Sequence, residues 1–304
     1  MKIVLTGSLG HIGRPLTQEL VQKGHDITVV SSKPERKGEI EAMGAKAAIG
    51  TIEDHGFLSA TFQGADTVFI LIAPSGAYTD PQLDVDKKFR QIGETCVEAI
   101  ETSGVKRVVY LSSIGADLET GSGLLRFHHA MEALLDRLRQ VAITFVRPTG
   151  FYNNLYGYLQ MIKTQGVIAA NYGEEDKVEW VSPSDIATVV AEELEALLAG
   201  GAQAGARKVR YAASDELTCS QMAWILGEAI GKPDLKWVII PGERMKEGLV
   251  AAGLKPFIAD GMVEMYASRH SGRLSEDYYR NRPVLGRVKM TDFAKEFTAA
   301  YNRT

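Results

Sequence analysis

Cysteine is almost missing from this sequence: Cys96 and Cys219 stand far apart among 304 residues, in no Cys-x-x-Cys context. That excludes a disulfide framework or a thiolate zinc site and points to a reducing compartment. No metal-ligand cluster is visible, and no serine sits in a nucleophile elbow followed by Asp and His. Long apolar runs are missing too. Nothing approaches the ~20 residues that span a bilayer, and the opening Met1-Lys2-Ile3-Val4-Leu5-Thr6 meets a glycine turn too early for a secretory signal. A cytoplasmic protein without a membrane partner is expected. Nor is there a basic excess: 34 Lys and Arg against 38 Asp and Glu leave a net charge of −4, which offers nucleic acid no attractive face. Internal repeats and low-complexity tracts are absent.

What remains is an ordinary globular composition, 45% hydrophobic and 24% charged, in a chain long enough for a sizeable core. Short β-rich runs at 3–5, 26–30, 46–49, 68–72, 107–111 and 143–146 alternate with helical patterns at 11–22, 33–43, 57–62, 81–102 and 124–138. Runs such as Val68-Phe69-Ile70-Leu71-Ile72 are apolar throughout, as befits strands buried on both faces. Right-handed crossovers between them predict an α/β fold, a Rossmann-type doubly wound parallel sheet with a smaller, mostly helical C-terminal lobe. The expected division is residues 1–150 for the nucleotide-binding domain and 151–304 for a substrate-side lobe, with a segment at about 178–212 returning to the sheet. Beyond residue 150 the spacing predicts a helix over 183–198 capped by Ser182, a strand at 208–211, a helix opened by Thr218 and a strand at 236–240.

Between the first strand and its helix, Gly7, Gly10 and Gly13 are spaced Gly-x-x-Gly-x-x-Gly. Such a loop provides a tight turn, a close backbone approach to a pyrophosphate and close helix–strand packing. A glycine turn that merely joins two elements is the plainer alternative, but the strand–loop–helix context favours a dinucleotide. Thr6, Gly7, Leu9, Gly10, His11, Ile12 and Gly13 are the expected contacts. The second strand ends in Ser31-Ser32-Lys33-Pro34-Glu35-Arg36 without the carboxylate that holds an NAD ribose. Hydroxyls and cations suit a 2′-phosphate, so Ser31, Ser32, Lys33 and Arg36 predict NADP(H) over NAD(H).

The runs Thr6–Gly13, Ile72-Ala73-Pro74, Val108-Val109-Tyr110-Leu111-Ser112-Ser113, His128-His129-Ala130-Met131-Glu132, Arg147-Pro148-Thr149-Gly150-Phe151-Tyr152-Asn153-Asn154 and Ser182-Pro183-Ser184-Asp185-Ile186-Ala187 together resemble the NmrA-like branch of atypical short-chain dehydrogenases/reductases. Within it they resemble bacterial NAD(P)H:quinone oxidoreductases. The resemblance implies that Ile72, Ala73, Pro74, Ser112, Pro148, Thr149, Gly150 and Phe151 border the cofactor. Typical short-chain reductases carry Tyr-x-x-x-Lys after the strand-five serine; this chain has His128-x-x-x-Glu132 there instead.

Ser112, His128 and Glu132 are therefore the candidate catalytic residues. His128 and Glu132 share a helix face and could hydrogen-bond, the carboxylate then raising the imidazole pKa; a structural anchor is the equal alternative. Ser112 could hold a carbonyl oxygen or the nicotinamide, or simply cap backbone groups. Tyr152, Asn153 and Asn154 are candidate substrate contacts, with packing the competing role for the aromatics. Asp185 reads as a fastener of its loop. These features predict an NADPH-dependent reductase of a quinone or related conjugated carbonyl, acting as monomer or homodimer. The alternatives are an NADP(H)-sensing regulator without turnover and an enzyme acting on some other small metabolite.

Overall fold

The computed structural model describes residues 1–72, 80, 82–200 and 203–303. Six strands and five helices alternate first: β1 (Lys2–Leu5), α1 (Gly13–Gln22), β2 (Asp26–Ser31), α2 (Lys37–Ala42), β3 (Lys46–Ile49), α3 (His55–Phe62), β4 (Thr67–Ile70), α4 (Val85–Ser103), β5 (Arg107–Leu111), α5 (Arg126–Leu135) and β6 (Ala142–Pro148). There follow β7 (Gly150–Phe151), α6 (Leu159–Gln165), β8 (Val167–Ala170), β9 (Lys177–Val181), α7 (Pro183–Ala199) and β10 (Arg207–Ala212). The chain continues through β11 (Asp215–Thr218), α8 (Cys219–Ala229), β12 (Lys236–Ile239), α9 (Gly242–Ala251), α10 (Pro256–His270), α11 (Glu276–Arg280) and α12 (Met290–Arg303).

Seven parallel strands form the main sheet in the order β10-β6-β5-β4-β1-β2-β3. The chain leaves β1 toward β2 on one side and reaches β4 on the other, so the switch point lies beyond the carboxyl ends of β1 and β4, where such sheets bind ligands. Alternation along each strand explains the uninterrupted apolar runs. Ile3 and Leu5 pack with Leu16, Leu20, Ile186, Val190 and Leu194 under α1 and α7. Val4, Val68 and Ile70 pack on the opposite face with Ile92, Cys96, Ile100 and Leu135. Each fully buried aliphatic side chain contributes roughly 1.5–3 kcal/mol. Burial pushes the Cys96 thiol up to about 12, which keeps it inert.

The doubly wound sheet expected from the sequence is present, and its helix starts are corrected locally. The first helix begins at Gly13 rather than 11 because the glycine turn continues to Ile12, and Lys33 stays extended before a 3-10 turn at Pro34–Arg36. The helix expected from 81 begins at Val85, where Asp84 accepts a hydrogen bond from the Lys87 amide at 3.0 Å; residue 81 itself lies outside the described residues. Ser182 caps α7 through the Ser184 amide at 3.3 Å, and Thr218 with Gln221 forms a reciprocal capping box on α8.

Around Tyr152, Leu155, Ile168, Trp180, Met222, Trp237 and Phe297 a second core assembles from β8, β9, β12, α8 and α12. Asp185 ties this region to the sheet: it accepts hydrogen bonds from Ser214 Oγ at 2.6 Å and from the Arg287 and Val288 amides at 3.2 and 3.0 Å. Among the described residues no helix is long and apolar enough to cross a membrane, and no cluster of metal-ligating side chains forms.

Candidate active site

The turn after β1 is built to leave donors free. Thr6 is buried and spends its hydroxyl on the end of β4, accepting from the Leu71 amide at 2.8 Å and donating to the Leu71 carbonyl at 3.2 Å. Gly7 takes φ +90°, a conformation an L side chain rarely adopts. At Gly13 an added Cβ would lie 2.0 Å from the Ser8 carbonyl oxygen, so helix and turn meet there. Gly10 differs, because its Cβ would find only the Gly7 oxygen at 3.9 Å. Nothing among the described residues requires that glycine. The backbone amides of Leu9, Gly10, His11 and Ile12 have no acceptor among the described residues, and they sit at the positive end of α1. An open cradle with uncommitted amides fits a dinucleotide pyrophosphate.

Beside it, a cleft lined by Leu9, Gly10, His11, Arg14, Pro15 and Arg36 opens at the tip of β2. Arg36 donates to the Leu9 carbonyl at 2.9 Å, and both Arg14 and Arg36 pair with Glu39; the Arg14 guanidinium holds that carboxyl below its usual range. Ser31 is buried and closes the turn, accepting from Ser8 Oγ at 2.9 Å and the Lys33 amide at 3.2 Å, while Ser32 and Lys33 are exposed. Arg14 was missed by sequence reasoning: it lies on α1, away from the strand tip, and only the fold brings it next to Arg36.

A cavity of about 370 Å³ runs from the sheet edge into the lobe. Ile12, Ile72, Ser112, Ser113, His128, Pro148, Thr149, Gly150, Phe151 and Asn154 line it from the sheet side. Ala73 and Pro74 lie outside the described residues. Of the substrate candidates, Asn154 lines the cavity, and Asn153 lies instead in a separate cleft with His11 and Tyr156. Tyr152 is corrected: it is fully buried in the lobe core, stacked on Phe293 and donating to Asp215 at 2.6 Å.

The pair expected between His128 and Glu132 does not form. Glu132 lies behind Ser112 and accepts its hydroxyl proton at 2.5 Å. The same carboxylate takes two parallel bonds from Arg147, Nε to Oε1 at 3.0 Å and Nη2 to Oε2 at 2.7 Å. Arg147 also reaches Asp277 at 3.2 Å and Tyr211 Oη at 3.4 Å. Such a bidentate pair fixes both groups. Ser112 thus has its proton committed and can only accept a hydrogen bond from a ligand in the cavity. Of the two ligands the sequence left open, that suits the amide N–H of a nicotinamide better than a carbonyl oxygen. Glu132 thus fixes the Ser112 hydroxyl, and Arg147, part of the quoted Arg-Pro run, fixes Glu132.

His128 points the other way. Its Nδ1 meets Tyr110 Oη at 2.9 Å, and that buried phenol has no other hydrogen-bond partner among the described residues. A buried hydroxyl without an acceptor is costly, so Tyr110 donates, Nδ1 accepts and the ring proton resides on Nε2. Burial moves the imidazole down to about 4, opposite to the rise expected from a carboxylate neighbour. His128 therefore presents a neutral Nε2–H donor at the cavity wall.

The lobe side of the cavity carries Leu155, Tyr158, Tyr172, Trp180, Met265, Tyr266 and Arg269, residues that no motif signals. The sequence profile of the NAD(P)H-binding family matches residues 7–196. Over 303 residues the chain is 27% identical to the NAD(P)H azoreductase of Xenophilus azovorans, covering 98% of this chain and 99% of that protein. Among solved structures, the NADPH complex of the Escherichia coli NADPH-dependent quinone oxidoreductase superposes with TM-score 0.79 at 19% identity, covering 97% and 99% of the two chains. The NADP(H) complex of Citrobacter sp. triphenylmethane reductase does so with TM-score 0.73 at 21% identity, covering 96% and 99%. The chain belongs to the NAD(P)H-binding family, and its cofactor is NAD(P)H.

Proposed function

We propose that this NAD(P)H-binding chain is an NADPH-dependent oxidoreductase that reduces a quinone or related conjugated carbonyl. The coarser class, NAD(P)H-dependent oxidoreductase, is that of the azoreductase similar to it along its whole length. Bound NADPH supplies the hydride. The preference for NADPH rests on Arg14, Arg36, Ser32 and Lys33 around the β2 cleft.

The observation that carries the reading is the Tyr110–His128 contact at the cavity wall. A neutral imidazole N–H stabilises negative charge developing on a carbonyl oxygen by hydrogen bonding, without delivering a full proton. A quinone tolerates that arrangement because its reduced oxygens are stable as phenolates, whereas an ordinary ketone needs a proton at its alkoxide. Ser112, locked by Glu132 as an acceptor, orients a ligand N–H such as a carboxamide. Phe151 and Trp180 offer flat apolar surface to a ring.

Anaerobic mixing with NADPH and a panel of benzoquinones and naphthoquinones, followed at the nicotinamide absorbance, tests this. Turnover is expected, with kcat reduced in His128→Ala and less so in His128→Gln, which keeps an N–H donor. If no quinone oxidises NADPH while NADPH and NADP⁺ bind with different affinities, the chain is a cofactor sensor instead. If both variants turn over like the parent protein, His128 is not the donor.

A further inference from the structure

Among the described residues lining the cavity, one carries a full charge: Arg269, on α10, since the His128 imidazole is neutral. The Arg269 side chain is 7% exposed, yet its guanidinium makes no hydrogen bond to the described protein, and Nη1 is buried without a partner. Its nearest carboxylate oxygen, Glu179 Oε2, stands 3.8 Å from Nη1, beyond hydrogen-bond reach, and already accepts from Ser275 Oγ at 2.7 Å. The ring of Tyr172 lies 5.8 Å from the guanidinium carbon. A second orphan lies on the same wall: Trp180 Nε1 is buried with no acceptor. Buried guanidinium groups are normally held by several hydrogen bonds, because leaving their donors unmet costs free energy.

Glu179 counters the charge of Arg269 at a distance but leaves its fork of donors open. Tyr158, Tyr172, Trp180 and Tyr266 give the cavity that Arg269 lines aromatic walls. A flat ring bearing an ionised oxygen group meets both needs at once: the ring covers aromatic surface, and the anion takes the charge-assisted bonds.

We infer that Arg269 is a substrate-binding residue that selects ring compounds bearing a carboxylate, sulfonate or similarly ionised oxygen, held at the lobe end of the cavity. This rests on the reading of that cavity as the substrate chamber. The test needs no turnover, so it fails or succeeds independently of quinone reduction.

The probes are 2-naphthoate and its neutral counterpart 2-naphthamide, titrated into the intact protein with saturating NADP⁺, with Trp fluorescence and calorimetry as readouts. The parent protein is expected to bind the carboxylate about tenfold or more tightly than the amide, the worth of a charge-assisted hydrogen bond. In Arg269→Gln that preference disappears while amide binding changes little; Arg269→Lys, which keeps the charge, retains part of it. Equal affinity for the two probes in the parent protein overturns the inference without recourse to any variant. So does a loss of both ligands in equal measure in a folded Arg269→Gln, which would mark a structural role. Anion preference without any quinone turnover would leave the binding assignment standing and remove only the reaction.

Discussion

On the sheet side of the cavity, Ser112, Glu132, Arg147, Tyr110 and His128 bind one another, so each polar group except the outward His128 Nε2–H and the free lone pairs of Ser112 has a partner. On the lobe side, Arg269 and Trp180 are buried with donors that nothing among the described residues meets. The first wall is rigid before any ligand arrives, as a site that must stabilise developing charge has to be. The second stores an unmet demand that a ligand fills, and the contrast separates orientation of the reaction from choice of substrate.

The largest expected effect comes from breaking the satisfied wall. Arg147→Met leaves Glu132 buried without its cation, which costs roughly 3–5 kcal/mol. Denaturant unfolding should show that loss, and Glu132→Gln combined with Arg147→Met should recover part of it, since two neutral groups leave no stranded charge. On the unsatisfied wall, Arg269→Gln should cost less stability, because no hydrogen bond is lost, although it takes the facing cation 3.8 Å away from the fully buried Glu179. Comparable destabilisation at both positions would erase the contrast.

His128 gives a smaller, pH-dependent effect. Burial depresses its pKa from an ordinary 6.5 to about 4, so the unfolded chain binds the proton more readily than the folded one. Stability from this residue is complete above pH 6.5 and is lost as pH falls from 6.5 through 4, up to roughly 2–3 kcal/mol. Unfolding curves for the parent and His128→Gln at pH 7 and 4.5 should differ by that slope, the variant being less acid-sensitive. The pH–rate profile should show no limb near 6.5, since the imidazole stays neutral there; a limb at 6.5 would mean that it titrates freely.

How much of this was legible in the sequence follows the same division. The sheet, the glycine turn and the positions of Ser112 and His128 could be read because strand periodicity and local spacing encode them. Partnership could not. His128 and Glu132 share a helix face, but helix spacing says nothing of Tyr110 and Arg147 arriving from neighbouring strands, and these buried groups draw the two side chains apart. Tyr152 sits in the same run as the cavity-lining Phe151, but the 3-10 turn that begins there carries it into the lobe core. Arg269 had no signal at all: it is one cation on a C-terminal helix, made significant only by what surrounds it.

The glycine turn contains its own comparison. Gly13→Ala drives a methyl against the Ser8 carbonyl, at 2.0 Å before relaxation, and should destabilise the fold by about 1–3 kcal/mol. Gly10→Ala meets only the Gly7 oxygen, at 3.9 Å; it should change stability by less than about 1 kcal/mol and weaken NADPH binding about tenfold. Thermal melts with and without cofactor distinguish the two. If Gly10→Ala binds NADPH like the parent protein, the cradle is not where the pyrophosphate lies.

Smallest of all should be the effect at the β2 cleft, where the cations are partly exposed and solvent screens them. The Arg36 side chain is 32% exposed and that of Arg14 is 42%, and both already share Glu39, so each adds less to a bound phosphate than an isolated buried arginine would. Arg36→Gln should lower the ratio of NADPH to NADH affinity by about tenfold at low salt, and by less at high salt as screening grows. Because Arg36 also holds the Leu9 carbonyl at 2.9 Å, its loss could instead loosen the glycine turn; that would weaken both cofactors equally and leave the ratio unchanged. Arg14→Gln, which breaks no bond to the turn, resolves the matter: a falling ratio in both variants assigns the cleft to the 2′-phosphate, whereas an unchanged ratio in both removes the basis for preferring NADPH.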